Sequence, residues 1–570
     1  MQKSSNKPSF FTLVILIFLI ALVVQTNQPV QAASMLFTVT KTADSGTGTL
    51  RWAIEQANAN SGHDYIDFNI PMTDSGYDAQ KGIWTIYLQT PLILTNPGGV
   101  GIYGESQTDK KGDTNPLGPE IAISGFSLTS GPIFDLQADN NIIGGFSLHS
   151  NRYGAGIEIG SNSRNNLIAE NFIGIRADRS LGWGNKYGIR VLSGSHHNKI
   201  VSNTISHITH DGIEIQGPAG NNTIGLNEIG IDPDKTVKIA NGGNGIAAYG
   251  SHDNLIGENI ISGNDQSGIL INGGFWNTVT ENIIGLDGTG TVGVGNLEYG
   301  IKLENGTREN TIIDNVVASN GRTGILLTGN TTWGNKVQGN KIGGESNHTL
   351  SNGHHGIGIY EGAHDNSVGS ETDAALGNLI YSTYWSGIAI VNAANFNTIA
   401  HNQIGNPPGV GMNYHGIAIV NSSNNTIMLN TIAGNGVHTE AAGILVDGAG
   451  ANHNRITFNS IYNNNNTGIK LLNGANDGIL PPTIISVTSN IVRGTACPGC
   501  KVEVFSDDGD QGKFYEATAI ADPVGVWEWL DTPLGPNVTA TQTDAKHNTS
   551  SFSIPYKFTS NKIYLPLITR

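Results

Sequence analysis

Between about residues 150 and 480 the chain repeats itself, and that periodicity limits its fold more than any other property of the sequence. One element of the repeat is Gly-Ile followed by an alternating strand. Its isoleucines are Ile157, Ile189, Ile213, Ile246, Ile269, Ile301, Ile325, Ile357, Ile388, Ile417, Ile444 and Ile469, spaced 23 to 33 residues apart. A second element follows about ten residues later. Its form is Asn-x-apolar-x-x-Asn-x-apolar, as in Asn198-Lys-Ile-Val-Ser-Asn203-Thr-Ile and Asn425-Thr-Ile-Met-Leu-Asn430-Thr-Ile. After Asn366 the second Asn is missing, which predicts an irregular coil there.

No helical period runs through these units. Two or three short strands cannot bury their apolar side alone. Stacked copies can, each strand pairing in parallel with its equivalent one repeat on. The expected fold is all-β: a right-handed parallel β-helix of about twelve coils, roughly 60 Å long, with Ile and Val stacked inside. The repeated Asn residues read as internal amide ladders, at corners whose left-handed backbone Asn tolerates. A row of sugar-binding amides is the alternative, disfavoured because the Asn spacing is locked to the Ile residues. Alternate coils at first carry inserts, over 175–185, 231–241 and 286–296. Insertions on one side of a solenoid often build its binding face.

Composition narrows the class. Gly is 76 and Asn 64 of 570 residues, so the chain turns often. Charged residues are only 13%, too few for a coiled coil, and 38% hydrophobic content is too high for a disordered chain. A net charge of −16 argues against a nucleic-acid partner. Residues 1–33 read as a secretory signal: Lys3 and Lys7, an apolar run from Phe10 to Val24, and small residues before cleavage after Ala32 or Ala33. The run is shorter than the ~20 residues of a membrane span. The expectation is a secreted monomer, extracellular or at the cell surface, with no membrane span after signal cleavage.

Both ends depart from the repeat. Residues 34–135 read as an N-terminal cap and the first strands, with a strand at Phe37-Thr-Val-Thr40. A short helix follows between Thr49 and Asn60, presenting Leu50, Ala53, Ile54 and Ala57 on one face. The β-helix proper is expected over 136–480. Pro481-Pro482 reads as a stiff linker, 481–556 as a small antiparallel sandwich, and 557–570 as a tail. Cys497-Pro-Gly-Cys500 brackets a turn and reads as a local disulfide; one such pair offers too few ligands for zinc.

The mature chain resembles a group of secreted bacterial proteins with a Phe-Thr-Val-Thr opening, a β-helix and an Ig-like tail. Gly48-Thr-Leu-Arg-Trp-Ala53 is similar to the module named for its Cys-Ser-Leu-Arg-Glu-Ala run, sharing Leu-Arg and Ala. Ile284-Gly-Leu-Asp-Gly-Thr-Gly-Thr291 resembles a string frequent in that group's β-helices, and Arg493-Gly-Thr-Ala-Cys-Pro-Gly-Cys500 resembles the first hairpin of bacterial Ig-like domains. Tyr564-Leu-Pro-Leu567 looks like the endings of some secreted proteins of filamentous green bacteria. The resemblance implies a pectate-lyase-like superfold with an Ig-like domain over 481–556. It implies no particular activity.

Enzymes on that superfold need specific groups on the exposed strand face. Glycoside hydrolysis needs two carboxylates; the polygalacturonase strings Asn-Thr-Asp, Gly-His-Gly and Arg-Ile-Lys are absent, and Asp232-Pro-Asp234 lacks the His of an alginate epimerase. No calcium-like acidic spacing appears, so no metal or cofactor is expected. Outward positions after each Gly-Ile, and the turns before it, leave two zones. The first holds Glu158, Lys186, Tyr187, Arg190, His210, Asp211 and Glu214. Of these, Arg190, His210, Asp211 and Glu214 are the candidate catalytic groups, because paired acids and bases suit uronate chemistry. The second is aromatic and His-rich: His355, Tyr360, Trp385, Tyr414 and His415, candidates with Glu158, Lys186 and Tyr187 for substrate binding. A merely solvated face, its charges paired across neighbouring strands, is the alternative for both zones, and exposed aromatics make it less apt for the second. The reading is a protein that binds an extracellular polysaccharide, with processing by a lyase, hydrolase or epimerase left open. The runner-up is a non-catalytic surface or adhesion scaffold, its last domain a spacer.

Overall fold

A computed structural model describes residues 33–344, 350–405, 414–436 and 440–558. All of the expected leader except Ala33, and the tail beyond residue 558, lie outside these. The chain forms a right-handed parallel β-helix with three long sheets. The first runs from Leu36–Val39 to Arg455–Thr457 and the second from Tyr77–Asp78 to Ser460–Tyr462, each with 15 strands among the described residues. The third runs from Leu92–Leu94 to Thr467–Leu472 with 14. Apart from one antiparallel hairpin, Tyr77–Asp78 with Ile83–Tyr87, the pairs are parallel. The Gly-Ile element marks twelve strands of the third sheet. Leu92–Leu94 and Phe134–Leu136 pair in the same register without it.

The register is the one the isoleucines dictate. Ile213 pairs with Ile189 and Ile246, then Ile246 with Ile269, and all four are fully buried. The glycine before each has a steric cause where coils stack closest. At Gly245 a Cβ would stand 2.5 Å from Ile261 Cγ2 and 2.7 Å from the carbonyl of Gly268, closer than any side chain tolerates.

The asparagines form ladders. In the first, Asn198 Nδ2 donates to Asn222 Oδ1 at 3.0 Å, Asn222 to Asn254 at 3.0 Å and Asn254 to Asn277 at 3.0 Å. The backbone N–H of each rung donates to the same oxygen. The second ladder repeats this through Asn203, Asn227, Asn259 and Asn282. Two expectations need correcting. The second ladder is unbroken after Asn366: Asn340 donates to Asn378, which lies beyond an inserted 3-10 turn, and Asn378 donates to Asn402. The left-handed backbone also falls on the residue before the ladder Asn, not on the Asn itself. His197, Asn221, Asp253 and Trp276 have φ near +55°, as do Ser202, Leu226, Glu258 and Glu281. A third ladder, Asn241, Asn264, Asn296, Asn320 and Asn352, takes in the last residues of two inserts, Asn241 and Asn296, and the matching turns of the coils between and after them. Buried amides this fully paired stabilise and fix the stacking together.

Both ends are covered. At the first, helix α1 (Leu50–Asn58) buries Leu50, Ala53, Ile54 and Ala57, its N-terminus capped by Thr49, whose Oγ1 accepts from Trp52 N at 3.3 Å. At the other end, two small antiparallel sheets share a core of Val492, Val502, Val504, Trp527 and Val538. Cys497 and Cys500 are joined there by a disulfide, Cα atoms 5.3 Å apart. This unit is not a spacer held off by Pro481-Pro482; it is docked on the last coil. Gln511 Oε1 accepts from Asn464 N and Nδ2 at 3.1 and 2.9 Å, ending a short amide row in which Asn435 donates to Asn464. The carbonyl of Thr549 accepts from Asn476 at 2.8 Å, Glu503 accepts from Phe458 N at 3.0 Å, and Gly512 pairs with Ile461. An open β-helix end exposes unpaired strand edges, and this unit closes one.

Candidate functional site

The third sheet carries both zones on its outer side. In the first, Asp135, Glu158, Arg190 and Glu214 form one row across four neighbouring strands. Arg190 bridges its flanking acids, 2.8 Å to Glu158 and 3.2 Å to Glu214, and lies 4.9 Å over the Tyr187 ring. Lys186 sits 5.4 Å from the same ring, and His210 packs on it with centroids 5.0 Å apart. Asp211 is buried and accepts from Asn244 N and Nδ2 at 2.7 and 3.0 Å; Glu214 accepts from Gln216 at 2.6 Å. Burial raises the carboxyls of Asp135, Glu158 and Asp211 above their ordinary range. The residues singled out by position are therefore brought together, with the guanidinium already held between two carboxylates. A ligand carboxylate would have to compete with both.

The second zone is a groove of about 740 Å³. Its floor is Ala389, Ala418 and Leu445 in register on adjacent strands, with Val391 beside Val420. The strands Ile388–Val391 and Ile417–Val420 both read Ile-Ala-Ile-Val, placing small apolar groups where the first zone places charges. Along the rim stand Tyr384, Trp385 and Tyr414, which keep 58%, 45% and 41% of their surface exposed. Trp385 is buttressed by the preceding coil: His354 stacks on it at 5.3 Å and His355 meets it edge-on at 5.4 Å. Tyr360 lies behind, edge-on to His355 at 6.1 Å, its hydroxyl pushed up to about 12 by burial. Sequence reasoning missed Tyr384 and the floor; the signal was the loss of charge at the outward positions of those two strands.

The two groove histidines are fixed in one tautomer. His355 Nδ1 accepts from Ser386 N at 3.1 Å and His415 Nδ1 from Ala442 N at 2.9 Å, so each ring carries its proton on Nε2. Burial lowers both to about 4, with the neighbouring His354 and Lys470 acting in the same sense. The unfolded chain takes up these protons first, from its ordinary value of 6.5 downward. Stability should thus fall as pH drops from 6.5 towards 4, read as the urea midpoint. A His355→Gln, His415→Gln double variant should show a shallower fall, and an identical slope would contradict this environment.

Among the described residues no group of three or more His, Cys, Asp or Glu is placed to hold a metal ion, and no helix is long and apolar enough to cross a membrane. The family described as a right-handed β-helix region matches residues 179–342. No curated protein matches the chain. Solved structures similar in fold include the Dettilon tailspike protein, 14% identical, covering 91% of this chain and 78% of that one with a TM-score of 0.36. The tailspike protein of E. coli bacteriophage HK620 in complex with pentasaccharide is 12% identical over 86% and 88% of the two chains, TM-score 0.39. The periplasmic alginate epimerase AlgG is 12% identical over 72% and 83%, TM-score 0.30.

Proposed function

We propose that the protein binds a polysaccharide by seating part of the glycan chain in the aromatic groove of the third sheet. The observation that carries this is the exposed rim of Tyr384, Trp385 and Tyr414 over a floor of Ala389, Ala418, Val391 and Val420. Exposed aromatics grouped around an apolar floor mark a binding surface, and sugar rings present apolar faces of the matching kind. The neutral Nε2–H groups of His355 and His415 supply hydroxyl-directed donors. The scaffold alternative is favoured by the paired charges of the first zone and by nothing in the groove.

A polysaccharide panel tests the reading by affinity electrophoresis, with calorimetry on any binder. Trp385→Ala should weaken binding roughly thirtyfold, the usual effect of removing an aromatic anchor. Binding should stay flat from about pH 5 to 8, since both groove histidines remain neutral there. Unchanged affinity in Trp385→Ala and in Tyr414→Ala would remove the groove from consideration. The same panel, scored for new reducing or unsaturated ends, decides whether the row of Asp135, Glu158 and Glu214 acts on a bound chain; Glu158→Gln should then lose turnover and keep binding.

A further inference from the structure

A second cavity, of about 510 Å³, lies on the second sheet near its N-terminal end, away from both zones. Its floor includes Tyr87, Ser124 and His149, in register on three adjacent strands. The first insert forms a wall and brings Arg176 and Trp183. Tyr87, Phe126 and Trp183 are each more than half exposed, and Arg152 lies 4.0 Å over the Trp183 ring.

The polar groups here are not equally engaged. Lys81 is held by Asp178 at 2.9 Å, and Asp178 also accepts from Ser180 N and Oγ. Asp78 accepts from Gln80 N within its own turn. Arg176, lying against Gly182, has no carboxylate partner among the described residues; a Cβ on that glycine would come within 2.6 Å of its Nε. His149 is more than nine-tenths buried, and its Nδ1 is 2.8 Å from Ser150 Oγ. Its Nε2 has no protein partner among the described residues, although the ring lines the cavity. Burial and the charge of Arg176 together hold this imidazole down to about 4, so it is neutral at pH 7. Ser150 itself is kept at φ 65° by its N–H donating to the carbonyl of Trp183 at 3.0 Å. The same left-handed corner with the same kind of N–H bond recurs at His207 and Ser319, so it belongs to the repeat and serves here to hold the insert against the cavity.

A guanidinium without an acid, a buried imidazole with one nitrogen free, a serine and exposed rings together describe an acidic sugar. We propose that this cavity is a separate binding site for a hexuronate unit. Arg176 takes the carboxylate in paired hydrogen bonds, His149 and Ser124 take ring hydroxyls, and Trp183 and Tyr87 cover the faces of the ring. In a chain of net charge −16 an unpaired arginine is the local attraction such an anion needs.

The test is saturation-transfer NMR on the full chain with galacturonate, glucose and acetate as probes. A ligand of this size is expected to bind with Kd on the order of 1 mM. Arg176→Gln should weaken galacturonate about tenfold or more, while Arg176→Lys, which keeps the charge and loses the fork, should fall between it and the parent. Both changes are at a partly exposed side chain, and a parental thermal midpoint confirms the fold. The proposal is overturned by no galacturonate binding, by equal binding in Arg176→Gln, or by acetate or glucose binding as well as galacturonate. Galacturonate binding that is lost in Trp385→Ala and kept in Arg176→Gln would place the acid in the groove and equally overturn it.

Discussion

Asn282→Asp is expected to cost more than roughly 4 kcal/mol at pH 7, a large part of the 5–15 kcal/mol that holds an ordinary domain. Asn282 Nδ2 donates to the carbonyls of Ile256 and Thr280 and to Asn315 Oδ1, at 2.9, 3.0 and 2.9 Å, while its Oδ1 accepts from Asn259 N and Nδ2. A carboxylate keeps the accepting half and turns an oxygen towards three acceptors in a fully buried site. Its folded-state pKa is therefore raised above the unfolded value of about 3.9. The penalty on the charged form applies above that value and is relieved below it, because the protonated acid can donate once more. The difference in denaturant midpoint between variant and parent should narrow between pH 6 and pH 3. Asn282→Ala should show a difference that does not narrow. In a stack stabilised by neighbour contacts, a damaged rung can also split one unfolding transition into two. A difference that is small and flat across this range would refute the amide ladder as an energetic element.

Ile269→Ala is expected to cost about 2–5 kcal/mol, the range for a buried isoleucine cut to alanine. Ile269 has no exposed surface and pairs with Ile246 and Ile301 on the flanking strands. Coils above and below hold the cavity open, so little collapse relieves it. Ile269→Val should cost about 1 kcal/mol. An unchanged midpoint in the alanine variant would mean the side chain does not face the core.

What the sequence disclosed follows from what repeats. The Gly-Ile register and the buried face of α1 rest on periodic apolar residues, so they were legible. Asn378 was not, because the inserted turn displaces it from the spacing of its fellows. The docking of the C-terminal sheets rests on Gln511, Glu503 and Thr549, single polar residues without a period. Trp385 and Tyr414 could be read from their place in the turn, whereas the groove became a groove only through the small residues beneath them. The N-terminal cavity gathers Tyr87, Ser124, His149 and Arg176 from four separate coils, and nothing in their local sequence ties them together.

The ladders also have a direction. Each rung of the first two rows offers its N–H groups to the next rung towards the C-terminus, and the third row does the same from Asn241 to Asn352 and again from Asn435 to Asn464. Side-chain dipoles aligned head to tail add, as peptide dipoles do along a helix. The positive ends of all three rows thus collect at one end of the protein. There the docked unit answers with acceptors for two of the rows, Gln511 Oε1 for Asn464 and the carbonyl of Thr549 for Asn476, while Glu503 accepts from Phe458 N beside the last rung of the other, Asn459. The opposite end runs out in acceptors and is met by a donor, with Val100 N giving its hydrogen to Asn141 Oδ1 at 3.0 Å. The two terminations are not interchangeable, and a coil array with this polarity can be lengthened or recombined only with like-oriented pieces.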